Sequence, residues 1–346
     1  MINNKDIIES VQYNCNIADS RSASNYTLCI YLLKMREYYR WEKNLAFNEA
    51  LPKEDIGNWI SAREQLWNDL DSRDYADIEI NNNRYSPFDS SGINNALIPH
   101  NLIYSGGIGL NGRPHFFIAE LISRTSVDEQ NIFVSGKELA RDLTAPPAMS
   151  HEKTIYIRRE SLRRMIWERL EEWRWKGAEN ALSRAFQYHD LDNSLEDSLD
   201  RMTEQESDVL LYHEIGEIKA GLQLGEQWHS MLSILPRSAG EFMVRAIRDH
   251  IADCCSTLPM LIEMQRHASL HFYFGNFNAM RREIFPSLYS AYDEWNVNGN
   301  DEELFSIAKK GAQHWSGVAQ QVLSLFEQYQ TDCLEHIVAL VEENKL

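Results

Sequence analysis

The stretch VLLYHEIGEIKAGLQLGEQW, residues 209–228, decides much of the fold because it predicts one helix that carries charge on its apolar side. At about 100° per residue, its apolar side chains spread over roughly two-thirds of a helical wheel. His213, Glu214 and Glu217 fall inside that apolar arc, whereas Gly216 falls on the side left to water. Charged side chains are rarely buried unless they are paired, protonated or bound to a metal. The pattern therefore predicts a site on this helix.

The spacing of these three side chains allows them to meet at one point. His213 and Glu217 are four residues apart, and Glu214 and Glu217 are three apart. Imidazole and carboxylate ligands suit zinc, iron or manganese, and helical bundles often build such sites. The order His-Glu-x-x-Glu lacks the second histidine of the zincin motif, which excludes that class. Three interpretations stay open: a metal or catalytic centre, a buried ion-pair network completed by an arginine, and simple exposure of the three side chains at the surface.

The helix predicted to follow, from residue 239 to about 258, supplies the partners for this site. Arg245, Asp249 and Asp253 recur every four residues opposite its apolar face, which is typical of a solvated helix surface. The connection at 236–238 is short, so the two helices are expected to be antiparallel neighbours. In that arrangement Arg245 can neutralise Glu217, or the two aspartates can complete a cation site.

The composition limits the classes of partner. The chain of 346 residues carries 34 basic and 52 acidic side chains, a net charge of −18, which repels nucleic acid and anionic membranes. No apolar run reaches the roughly 18 residues of a membrane span, and the N-terminus lacks a signal-peptide core. Five cysteines without a C-x-x-C pair indicate reduced thiols and a cytoplasmic location. An unidentified protein or small molecule is therefore the predicted partner.

Two motifs resemble the signatures of binding sites, but each is better explained as part of an ordinary strand turn or helix surface. The glycines at 107–112 have the dinucleotide-binding spacing G-x-G-x-x-G, but the residues after them predict a strand, not the required helix. The run 158–176 mixes arginines, glutamates and three tryptophans, which is typical of a salt-bridged helix surface.

The predicted fold is mainly α, in the α+β class. N-terminal helices precede a small antiparallel β module and a C-terminal helical bundle. The predicted domains are 1–72, 73–157 and 158–346. Within them we expect helices at 26–47, 56–70 and 161–188, a loop at 71–96, and a short helix at 138–143. Strands are expected at 102–104, 115–118, 131–134 and 154–157, the first two joined by an Asn-Gly turn.

Two capping boxes mark helix starts in the C-terminal part. Thr203 with Glu206, and Ser238 with Glu241, have the spacing at which each pair can satisfy free backbone amides at a helix start. The first pair predicts that the helix carrying His213 begins near residue 203, after an acidic connection at 189–203.

Three segments carry a family resemblance: LYHEIGE at 211–217, RAIRDHIAD at 245–253 and TLP at 257–259. Together they resemble a bacterial family of uncharacterised, Sfum-type proteins. The resemblance implies a cytoplasmic bacterial protein with no known activity, so it assigns no catalytic residues.

Three functions are consistent with these observations. The first is a binding or scaffold protein whose His/carboxylate/Arg cluster only fixes the packing of the bundle. The second is a metal-dependent hydrolase or oxidoreductase that uses His213, Glu214 and Glu217, with a spare carboxylate as general base on metal-bound water. The third is a binder of a small carboxylate ligand through Arg245. The sequence leaves open whether the protein is an enzyme.

Overall fold

A computed structural model of the chain describes residues 4–109, 113–127, 129–151, 153–277 and 279–346. It divides into two compact units, residues 1–167 and 168–346. The structure is mainly helical with a smaller β component, which confirms the predicted fold class. Within the described ranges, no helix combines the length and the apolarity that crossing a lipid bilayer requires. The three-part division at residues 72 and 157 stays a prediction.

The first unit contains helices that flank a short hairpin. They are α1 (Asn4–Ser22), α2 (Leu28–Glu42), α3 (Lys53–Leu70) and α4 (Ser90–Leu97). Helices α2 and α3 are the predicted N-terminal pair, whereas α1 was missed because its sequence is polar. The predicted loop at 71–96 is wrong in part, since it contains α4 and the strands β1 (Ile78–Ile80) and β2 (Asn83–Tyr85). Asp89 caps α4 by accepting a hydrogen bond from the Gly92 amide at 2.8 Å.

A five-stranded sheet forms the centre of this unit. Its strands are β3 (Leu102–Ile108), β4 (Pro114–Val127), β5 (Gln130–Arg141), β6 (Ala148–His151) and β7 (Thr154–Arg158), in the order β3-β4-β5-β7-β6. Strands β3 and β4 pair antiparallel as predicted, although the residues of the Asn-Gly turn lie outside the described residues. Strands β5 and β7 pair in parallel, so the sheet is mixed and not purely antiparallel.

The short helix predicted at 138–143 is wrong. Residues up to Arg141 belong to β5, where Glu138 pairs with Ala119 and Arg141 with Phe117 of β4. The segment Lys-Glu-Leu-Ala-Arg has high helix propensity, but pairing with the neighbouring strand overrides that preference. On one face of the sheet, Ile118 packs in a cluster with Val11 of α1.

The second unit consists of helices. They are the end of α5 (Arg159–Lys176), α6 (Ala181–Gln187), α7 (Leu195–Leu224), α8 (Glu226–Ile234), α9 (Ala239–Ala252), α10 (Leu258–Glu263), α11 (His267–Gly275), α12 (Ala279–Ile284), α13 (Pro286–Asn298), α14 (Asp301–Tyr329) and α15 (Leu334–Glu343). A π-helical turn, Asp253–Thr257, joins α9 to α10. Their apolar faces meet in one large core that includes the fully buried Trp228 and Trp315.

Helix boundaries in this unit differ from two predictions. The single helix expected at 161–188 is interrupted at Gly177, whose φ of +60° ends α5. Helix α7 begins at Leu195, so the capping box expected at Thr203 and Glu206 is wrong, and both residues lie inside the helix. The Ser238 cap of α9 is confirmed, because its hydroxyl accepts a hydrogen bond from the Glu241 amide at 3.2 Å.

Helices α7 and α9 approach each other closely at Gly216. The prediction that Gly216 faces water is wrong: the residue is buried, and a Cβ atom there would lie 2.5 Å from the Ala252 carbonyl oxygen. Leu222, which the wheel placed in the apolar arc, is 80% exposed. The buried stripe of α7 therefore follows small residues such as Gly216 and Ala220. Small side chains are favoured on this stripe because they allow the backbone of α9 to approach α7 closely.

This close approach predicts opposite effects of the same substitution at two glycines of α7. Gly216→Ala is expected to cost about 2 kcal/mol of unfolding free energy, because two backbones must move apart. Gly221→Ala is the matched control, since its Cβ would lie an ordinary 3.4 Å from His229 Nε2. There the better helix propensity is expected to stabilise the protein by about 0.5–1 kcal/mol. Urea denaturation measures both changes, and equal effects at the two positions would contradict this packing.

Candidate functional site

The candidate site lies where α7 faces the π-helical turn that follows α9. The predicted phase of α9 placed Asp253 on a solvated face, but its side chain is only 1% exposed. Asp253 directly follows α9 and begins the π-helical turn, so it continues the phase of that helix. The face that the wheel left to water is covered here by α7, which brings His213 to Asp253.

Asp253 is the centre of the site. Its Oδ1 lies 2.7 Å from His213 Nδ1 and accepts a hydrogen bond from the Thr257 hydroxyl at 2.8 Å. Its Oδ2 accepts one from the Tyr273 hydroxyl at 2.9 Å and a short, charged one from Arg281. A carboxylate offers about four acceptor positions, so these four donors saturate it.

His213 lies between two carboxylates. While Nδ1 contacts Asp253, its Nε2 lies 3.5 Å from Oε1 of Glu217, one helical turn further along α7. The same Glu217 oxygen accepts a hydrogen bond of 2.7 Å from the Arg248 guanidinium of α9. The charges thus alternate in sign from Arg248 to Arg281, and each step joins two neighbouring elements or two turns of one helix. We call the residues Arg248, Glu217, His213, Asp253, Arg281 and Tyr273 the charge network.

The far end of the charge network is fixed by aromatic residues. Arg281 of α12 donates to the Tyr273 hydroxyl at 2.8 Å, and its guanidinium lies 4.8 Å from the ring centre of Phe277. The fully buried His250 of α9 lies with Nε2 3.2 Å from the Arg281 carbonyl oxygen, so this nitrogen donates. Its ring stacks on Trp315. These contacts hold Arg281 in place against Asp253.

The charge network sets the ionisation of its own members. Burial alone would lower the pKa of His213, but Asp253 and Glu217 outweigh it and hold that pKa well above the usual range. Burial opposes ionisation of Glu217, yet His213 and Arg248 bring its pKa down to about 2. The pKa of Asp253 is likewise well below its usual range despite burial, because Arg281 and His213 face it. The site therefore contains an imidazolium between two carboxylates.

The other predicted site residues lie at or outside the edge of the charge network. Glu214 is buried near the Arg248 guanidinium, and Asp249 lies 3.8 Å from Arg248 with its side chain 25% exposed. Arg245 forms its ion pair with Glu241, one turn earlier on the same helix. The arginine that neutralises Glu217 is thus Arg248, three residues further along the helix than the one expected.

Two family models match this chain and together cover most of it. A model of an N-terminal domain matches residues 6–158, and a model of a C-terminal domain matches residues 163–344. The chain belongs to DUF6866, a family of unknown function. No curated protein and no solved structure matches it.

In this DUF6866 chain the charge network lies within the C-terminal domain. Across the described part of the chain, no group of three or more His, Cys, Asp or Glu side chains has an arrangement that could hold a metal ion. His213, Glu217 and Asp253 lie close together, but Arg248 and Arg281 occupy the positions beside the carboxylate oxygens.

Besides naming Arg245 in place of Arg248, sequence reasoning missed two members of the DUF6866 charge network, Tyr273 and Arg281. They lie 20 and 28 residues after Asp253 in sequence, on α11 and α12. Neither belongs to a motif, and each reaches the site only through the packing of four helices. The only local signal is the segment 272–281, in which one arginine follows several aromatic residues. This pattern does not specify a partner for the arginine.

The elevated pKa of His213 gives a pH-dependence with a defined sign. The unfolded pKa of histidine is about 6.5. A histidine with a higher pKa in the folded state contributes its full stabilisation at pH values below this unfolded pKa. This contribution is lost as pH rises through the folded pKa. We expect the stability difference between the wild type and His213→Gln to be largest below pH about 6.5 and to shrink in alkaline solution. The control is His229→Gln, at an exposed histidine of α8 that lies outside the charge network.

Proposed function

We propose that this chain is a non-catalytic binding or scaffold protein in which the charge network fixes the packing of α7, α9, α11 and α12. The saturation of Asp253 by four protein donors carries this proposal. A carboxylate that must bind a metal or accept a substrate proton needs a free acceptor position. Since each carboxylate of the network faces a cation of the same domain, the observed pairing supports a structural role.

The two alternatives receive less support from the geometry. A metal-dependent hydrolase or oxidoreductase would need His213, Glu214 and Glu217 to present ligands to zinc, iron or manganese, and Glu217 instead accepts from Arg248. A carboxylate binder would need the Arg245 guanidinium for its ligand, and that group pairs with Glu241.

Metal analysis of the purified protein tests the proposal. We expect less than a tenth of an equivalent of zinc, iron or manganese after purification and after incubation with each metal. Glu217→Gln is expected to unfold more easily, with no change in metal content. About one equivalent of a metal that disappears in Glu217→Gln would overturn the proposal in favour of the metal-dependent enzyme.

The same proposal includes a cytoplasmic location and a bacterial origin, as a member of the Sfum-type group. The free state of Cys15, Cys254 and Cys333 supports a reducing compartment, since all three are buried thiols without a disulfide partner among the described residues. Counting reactive thiols in unfolded protein from the native source tests this location, and five thiols are expected.

A further inference from the structure

The first two turns of α2 present an apolar face to solvent. Four large apolar residues there are between 46% and 71% exposed: Leu28, Ile30, Leu32 and Leu33. Cys29, which lies among them, is exposed as well. A helix that is apolar toward solvent as well as toward its own core is normally covered by another surface. We call these five residues the exposed face of α2.

The inner side of the same helix already packs in the core of the first unit. Met35 and Tyr38 are buried there in one cluster with Trp67 of α3. At about 100° per residue, Cys29 and Leu33 lie on the opposite side of α2 from that cluster. The exposed face is therefore additional to the core that the unit forms by itself.

No charged residue interrupts the exposed face. The segment 25–33 contains no Asp, Glu, Lys or Arg, although 25% of the residues in the chain are charged. Lys34 follows directly, and its ammonium group lies 5.2 Å from the ring centre of Tyr26. Physiological salt screens charges that are more than about 8 Å apart. Two copies can therefore meet at this face without direct contact between like charges, despite the net charge of −18 on each.

A cleft of about 510 Å³ adjoins the exposed face. Leu28 and Tyr31 of α2 line it together with Trp67 of α3. Glu64 lines it as well, and its carboxylate accepts a hydrogen bond of 2.8 Å from the Tyr31 hydroxyl. Apolar side chains that enter such a cleft lose contact with water, as the central residues of an interface do. Because Leu28 belongs both to the face and to the cleft wall, two copies can fill each other's clefts reciprocally.

The area of the exposed face fits a small dimer interface. Its apolar residues expose roughly 400 Å² in total, which is the size of the largest apolar patch on a typical monomer. Since about 60% of an interface is apolar, this patch corresponds to roughly 650 Å² on each copy and about 1,300 Å² in the dimer. Specific interfaces begin at about 1,200 Å², so the face is large enough for a second copy.

We infer that the exposed face of α2 joins two copies of this chain in a symmetric dimer. The outward leucines of each α2 pack against α2 of the other copy and enter its cleft between α2 and α3. This inference goes beyond the proposed scaffold role and does not depend on it, because the charge network lies in the other unit.

Sedimentation equilibrium of the full-length protein tests the dimer. We expect a monomer–dimer equilibrium with a dissociation constant of about 1–100 μM, as an interface at the small end of the range gives. Leu33→Glu would bury two unpaired carboxylates in each dimer, and we expect it to weaken association by about a hundredfold or more. Leu222→Glu is the matched control, because this leucine of α7 is 80% exposed in the other unit and should leave association unchanged.

The two exposed cysteines allow a second measurement on the unaltered protein. Cys29 lies in the exposed face, whereas Cys255 lies in the π-helical turn of the other unit. We expect alkylation of Cys29 to slow as the protein concentration rises through the dissociation constant, while alkylation of Cys255 keeps its rate.

Three results would overturn the inference. A protein that stays monomeric at about 1 mM would assign the face to a partner other than a second copy. A dimer that Leu33→Glu leaves intact would place the interface elsewhere. Reactivity of Cys29 that does not change between monomer and dimer would show that the face stays open.

Discussion

Replacing Asp253 by asparagine is expected to remove about 3–5 kcal/mol of unfolding free energy, because it leaves two largely buried cations without their partner. Arg281 and the His213 imidazolium both face this carboxylate, and an amide cannot compensate either charge. The NH₂ group of the new asparagine can only donate, so two of the four donors that now point at Asp253 would lose their acceptor. The effect should appear as a lower urea midpoint with an unchanged slope.

Asp249→Asn is the matched control for this substitution. Asp249 lies one turn before Asp253, but its side chain is 25% exposed and 3.8 Å from Arg248, so a loss below about 1 kcal/mol is expected. A double-mutant cycle with Arg281→Met isolates the Asp253–Arg281 pair, for which we expect a coupling of about 2–3 kcal/mol. Coupling within about 0.5 kcal/mol of zero would show that the pair does not stabilise the fold.

Glu206→Gln is expected to stabilise the protein at pH 8 by up to about 3 kcal/mol. Glu206 is a buried carboxyl of α7, 5% exposed, and burial raises its pKa to about 7 although Ser269 donates a hydrogen bond to it. The folded state therefore holds a proton that the unfolded state releases near pH 4.5. Stability from this group is full below pH 4.5 and is lost as pH rises to about 7.

The pH profile of unfolding measures this effect. The wild type should lose stability relative to Glu206→Gln between pH 4.5 and 7, and the difference should stay constant above pH 8. Glu204→Gln provides the control, because Glu204 is exposed on the same helix and its removal should change little. A Glu206→Gln variant that is less stable than the wild type at pH 8 would show that the ionised carboxylate is paired and useful.

The sequence could predict those parts of the fold that depend on local interactions. The Ser238 cap, the antiparallel pairing of β3 with β4, and the helix through residue 213 each follow from contacts between neighbours in sequence. The strand at Glu138 could not be predicted in this way, because local propensity favours helix and only pairing with β4 makes it extended.

The candidate site shows the same limit. One turn of α7 brings His213 and Glu217 together, which periodicity predicts. Asp253 was expected on a solvated face, because the hydrophobic pattern of α9 does not show that α7 covers the polar side of that helix at this point. Arg281 and Tyr273 reach the site through tertiary packing alone. The sequence therefore indicated that His213 and Glu217 lie together, and it did not reveal that protein donors already satisfy the acids around them.

The protonation state of His213 tests the structural role of the charge network most directly. Nitrogen-15 NMR of the ring, assigned with His213→Gln, reports how many ring nitrogens carry a proton. At pH 8 we expect both His213 nitrogens to be protonated, and we expect the signals to remain unchanged when zinc or manganese is added. A neutral ring at pH 8, or a ring nitrogen that binds the added metal, would contradict the account of a self-compensated network.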